Sequence, residues 1–166
     1  MPKQIKKPKI KPLDKKFRTA AVAGMIMSLL FLAAIFSLIK VIVDTEGKLP
    51  TTVLFAAYIL YFASCITTLV CGVRAYSKED NFTDLFQSIL VFASIVACVL
   101  NLRFGLIMLF SAYKLNSASS SLIGSQTYTE FISSQYTNWI CIVVGTVITI
   151  VIGILGIIKL VKNKKH

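Results

Sequence analysis

The sequence predicts an all-α integral membrane four-helix bundle with four transmembrane helices and both termini on the inner side. Three observations carry that expectation. Apolar residues make up 56% of the 166-residue chain and charged residues only 15%, against about 25% charged in a soluble domain. The mean hydropathy is +0.77. The net charge is also confined to the ends. Lys3, Lys6, Lys7, Lys9, Lys11, Lys15, Lys16 and Arg18 stand against Asp14 in the first tail, and Lys159, Lys162, Lys164 and Lys165 stand unopposed in the last. Their surplus equals the whole formal net charge of +11. Finally, four apolar runs each reach the roughly 20 residues that a helix needs to cross about 30 Å of hydrocarbon. The runs are continuous rather than alternating, so they are helices and not barrel strands.

Residues 1–19 form a basic tail. Pro2, Pro8 and Pro12 argue against a long helix there, so it is expected to be extended and flexible. Residues 20–161 form the transmembrane domain, and 162–166 a second basic tail. The first span covers about 20–43. It is too long for the apolar core of a signal peptide, and "DTE" follows it instead of a small-residue cleavage site, so it is read as retained. Along it, Ala20, Gly24 and Ser28 recur every four residues.

The second span covers about 52–76, after the turn residues "DTEGKLP". Its small stripe is Ser64, Thr68 and Gly72, with Tyr61 and Tyr76 in line. The loop "SKEDNFTD" then leads to the third span, about 85–113. Here "ACVLNLRFGLIMLF" places Asn101 and Arg103 in apolar sequence. At about 100° per residue the two side chains diverge by about 200°. Asn101 falls with Ser94, Ala97, Gly105 and Met108, a small face suited to helix packing. Arg103 falls with Val96, Val99, Leu100, Ile107 and Phe110, a large face suited to lipid. Three readings of Arg103 follow. It snorkels to the outer headgroups, it needs an intramembrane partner, or the helix breaks near Gly105.

The outer loop, 114–138, begins rich in Ser and Thr. Tyr128, Phe131, Ile132, Gln135 and Trp139 then recur at helical spacing. They predict a short amphipathic helix on the outer surface, with Trp139 at the interface and the aromatics available to a partner. The fourth span covers about 139–161, with a small stripe at Cys141, Gly145, Thr149 and Gly153, and Gly156 beyond. Each span thus offers one face that permits close helix approach.

With four spans the tails share a side, and that side also holds Arg74 and Lys78. The excess of basic residues places both termini in the cytoplasm, at a plasma membrane. The sequon-like Asn81-Phe82-Thr83 would lie inside and escape glycosylation. The basic tails would attract anionic inner-leaflet lipids. Nucleic acid is not an expected partner.

Chemistry is sparse. Cys65, Cys71, Cys98 and Cys141 all lie in spans, none in a C-x-x-C pair, so no zinc or redox site is expected. The single histidine is His166, and no acid lies within a span. Neither a catalytic triad, a metal centre nor a proton-coupling carboxylate can be assembled. No cofactor and no enzymatic activity are expected. The leading reading is an accessory, assembly or scaffold subunit of a larger membrane complex, acting by helix packing with other subunits or with copies of itself. Two others stand beside it: a small oligomeric channel or transporter-like protein with Asn101 and Arg103 along its path, and a toxin-immunity or holin-like protein.

Overall fold

The computed structural model describes residues 12–44, 51–76, 84–117, 130 and 133–162. Among the described residues there is no strand. The elements are α1 (Pro12–Asp44), α2 (Thr51–Tyr76), α3 (Asp84–Val99), a π-helical turn (Leu100–Phe104), α4 (Gly105–Ser117) and α5 (Tyr136–Lys162). The π turn joins α3 and α4 into one span, so four helical units are long and apolar enough to cross a membrane. They form an all-helical bundle. α1 starts and α5 finishes at the same end of the bundle, the terminal end; the opposite end is the distal end.

The helix limits follow local chemistry. α1 begins at Pro12, whose fixed φ and missing N–H suit a first helical position. This differs from the flexible tail expected over 1–19. One proline at the start of a helix does not break it, and Pro12 has no proline after it until Pro50. Lys15, Lys16 and Arg18 therefore ride on a helix, below the apolar stretch. α1 runs 33 residues, about 50 Å, well beyond what the hydrocarbon requires. α3 begins at Asp84.

α2 and α5 form the central pair. α1 packs along α2 and α5, and the third span packs on the other side of the same pair, meeting α1 along α4. The pair is close because glycines face each other. A Cβ on Gly156 would sit 2.7 Å from the Gly72 Cα, so the backbones touch there. Thr68 is held from both sides, by Gly24 of α1 at its hydroxyl and by Gly153 of α5 at its methyl.

The packed interior has two halves. The distal half gathers Ile35, Ile39, Leu54, Tyr58, Tyr61, Met108, Leu109, Trp139 and Ile142. The terminal half gathers Leu69, Ala75, Tyr76, Leu90, Ala97 and Ile152. Outside, large apolar side chains stand exposed along every span, including Leu30, Ile59, Phe92, Phe110 and Val147. In water such a surface would aggregate; in hydrocarbon it is the ordinary exterior.

The π turn explains how the third span keeps one face inward. Ala97, Asn101, Gly105 and Leu109 are all buried. Four-residue steps in a regular α-helix drift by about 40° each. The wider π turn sits between Asn101 and Gly105 and offsets that drift. Leu109 thereby joins the buried face, a place that the 100° rule does not give it.

Candidate functional site

The densest polar constellation lies in the distal half, where α2, the π turn and α5 meet. Tyr61 reaches from α2 to the carboxamide of Asn101, its hydroxyl 3.0 Å from the amide and 2.6 Å from Thr146 Oγ1. Thr146 donates to the Ile142 carbonyl one turn back, at 2.8 Å. One turn distal, Tyr58 donates to the carbonyls of Asn101 and Leu102, at 2.9 and 3.1 Å. A π turn disturbs the regular backbone ladder, and Tyr58 covers two of its carbonyls. Cys65 lies beside Tyr61 and Thr149.

Proton accounting fixes the sense of this network. Three hydrogen bonds pass through Tyr61 and Thr146, but the two hydroxyls carry two protons. With the Asn101 carboxamide turned over, its NH2 becomes the third donor, and the chain runs Asn101 to Tyr61 to Thr146 to the Ile142 carbonyl. In the opposite orientation Asn101 Nδ2 is buried with no partner among the described residues. Turning the amide also removes that orphan donor and leaves an acceptor there instead, the less costly deficit. We assign the amide this way.

Two glycines make room for the network. A Cβ on Gly145 would overlap Asn101 Oδ1, and one on Gly105 would overlap the Tyr58 ring. Asn101 and Tyr61 are completely buried, and Thr146 is 3% exposed.

The other small-residue positions behave differently. Ser28, Ser64, Thr68, Ser94 and Thr149 each turn their hydroxyl back to a carbonyl three or four residues earlier in their own helix. That satisfies the donor without bridging helices. They contribute smallness; between spans, Tyr58, Tyr61 and Tyr76 supply hydrogen bonds, and Thr149 also meets the Cys65 thiol of α2. Tyr76 donates to the Leu155 carbonyl of α5 at 3.0 Å. The sequence reading placed Tyr61 and Tyr76 in line with the small stripe but passed over Tyr58. Its signal was available: a tyrosine well inside a span, away from the interface, needs a hydrogen-bond partner.

Asn101 and Arg103 are not brought together. Arg103 is exposed on the outside of the bundle, its guanidinium 5.7 Å from the ring centroid of Phe104. The outer-surface expectation needs correction at Trp139. It is 5% exposed and stacks on Phe36 of α1, with ring centroids 3.7 Å apart. Its indole Nε1 has no partner among the described residues. α5 begins at Tyr136, three residues before the expected start, so Trp139 falls in its first turn facing α1. Tyr128, Phe131 and Ile132 lie outside the described residues.

At the terminal end, Arg74 lies 5.3 Å from the Phe17 ring and Lys159 lies 5.9 Å from the Tyr76 ring. These cations rest on aromatic faces beside Lys15, Lys16, Arg18 and Lys162 at the same end of the bundle. Among the described residues no group of His, Cys, Asp and Glu could hold a metal ion.

No protein-family model, no curated protein and no solved structure matches this chain. What it does must therefore be argued from its own residues.

Proposed function

We propose that this multi-pass membrane protein is an accessory, assembly or scaffold subunit that acts through its transmembrane surface. The observation behind this reading is the closed interior. At the level where a path would have to pass, Tyr61, Asn101 and Thr146 are interlocked and buried. Within one copy, Asn101 and Arg103 point to different surroundings, so they do not line a common route. The polar groups of the interior are committed either to holding spans together or to carbonyls of their own helix, and what remains for outside contact is the helix exterior.

In this reading the terminal end faces the cytoplasm. Lys15, Lys16, Arg18, Arg74, Lys159 and Lys162 gather there on described helices, whereas the distal end has Lys40 and Lys114. The bias is the one that retains positive loops on the inner side of a plasma membrane. The same cations contact anionic lipid, each contributing about 1 kcal/mol near the surface.

The test is purification of the full chain from its native membrane in mild detergent. The subunit reading expects a partner protein in fixed stoichiometry. Recovery only as monomer or homo-oligomer, across several mild detergents, would overturn it.

A further inference from the structure

We infer that Arg103 is an intramembrane docking point for a carboxylate carried by a transmembrane helix of a different protein. The inference rests on the subunit reading and names the chemistry of the partner. Two rulers set the depth of Arg103. Its neighbours Asn101 and Leu102 are bonded by Tyr58, which lies about seven residues into α2 from Thr51, or about 10 Å. On α5, Gly145 meets Asn101 and lies about seven residues beyond Asn138, again about 10 Å. Those rulers place Asn101 about 10 Å below the distal polar ends of both helices; Arg103, two residues or about 3 Å nearer that end, sits about 7 Å below them, still inside the hydrocarbon.

Its surroundings do not relieve the charge. Val99, Leu102, Ile107 and Phe110 are exposed on the same span, so the arginine emerges through an apolar surface. Among the described residues its guanidinium meets the Phe104 ring and no carboxylate. Helical side chains lean toward the helix N-terminus. For this span that direction leads to Asp84 and away from the nearer interface, which works against snorkelling to the distal headgroups. A cation at such depth calls for a paired anion.

A second copy of the chain cannot supply that anion. Its seven acids are Asp14, Asp44, Glu46, Glu79, Asp80, Asp84 and Glu130, and none lies within the apolar stretch of a span. The complementary group must come from another protein whose span carries an Asp or Glu at matching depth.

The full chain is reconstituted into phosphatidylcholine vesicles with a synthetic lysine-flanked leucine–alanine helix. The helix carries one Glu about 7 Å from an end, and association is read by fluorescence energy transfer. The expected result is about tenfold stronger association with the Glu helix than with its Gln counterpart. The preference should vanish in R103L, survive in R103K, and move to a Lys-bearing helix in R103E. Equal association of wild type and R103L with the Glu helix, or no preference for Glu over Gln, overturns the inference. Because phosphatidylcholine phosphate is present in every arm, an arginine already satisfied by lipid would show as that lack of preference. Helicity by circular dichroism checks that each variant is folded. A native-membrane purification that finds no partner would sink the subunit reading but leave an observed Glu preference intact, so the two failures are separable.

Discussion

At the scale of single residues, the account turns on Asn101 and the tyrosines that hold it. A carboxamide in the interior of a membrane bundle is costly unless its partners are positioned. Tyr61→Phe removes the hydroxyl that joins Asn101 to Thr146 and leaves the carboxamide stranded. The expected loss is about 1–2 kcal/mol in reversible unfolding from mixed micelles. Asn101→Leu in the Tyr61→Phe background should recover most of that loss, because removing both partners costs less than orphaning one. An additive double variant would show that the two residues are not coupled. None of this pairing could be read from spacing alone. The 100° rule aims Asn101 inward but does not say what meets it, and the Tyr58 and Tyr61 hydroxyls were hidden in what reads as an apolar run.

At the scale of elements, glycines and the π turn decide how closely the spans approach. Gly156 faces the backbone of Gly72, whereas Gly153 faces the end of the Met25 side chain and the Thr68 methyl. A methyl at 156 meets backbone and has to push two helices apart; one at 153 meets only side-chain atoms, the Thr68 methyl at 2.7 Å and the flexible Met25 thioether at 2.8 Å. Gly156→Ala should therefore destabilise by about 1–3 kcal/mol, and Gly153→Ala by less, in the same unfolding assay. Equal effects would mean that the α2–α5 backbones are not in contact. The π turn offers a second test. A π turn holds one residue more than an α turn, so deleting Leu102 lets the turn close to a regular helix while α4 keeps its facing. Met108 and Leu109, both buried, should then stay in the interior. A thiol placed at Leu109 should remain unreactive to a lipid-phase maleimide in the deletion variant, and reactivity there would show that the π turn does not set the register of α4. Hydropathy could not reveal this turn, since Leu100–Phe104 has the same apolar character as its flanks. Nor could it find the start of α1 at Pro12, because an apolar window detects only the part of a helix that hydrocarbon selects. Trp139 shows the same limit: its spacing fits an interfacial helix, and only the approach of Phe36 from α1 reveals it as core.

At the scale of the whole molecule, the four spans were legible because the requirement is simple. Every backbone group must be paired inside hydrocarbon, and about 20 apolar residues per helix achieve it. Which span lies beside which was not legible. The central α2–α5 pair depends on Gly72 meeting Gly156, and every span had a small stripe to offer. The function proposed here depends on the molecule lying in the membrane with its cationic end inward. The most direct test is labelling of intact cells with a membrane-impermeant maleimide, using single thiols in a chain whose four native cysteines are replaced by alanine. Thiols at Lys3 and Lys165 should label only after the cells are opened, and a thiol at Ser125 should label in intact cells. Labelling of position 3 or 165 from outside, or protection of position 125, would contradict the account.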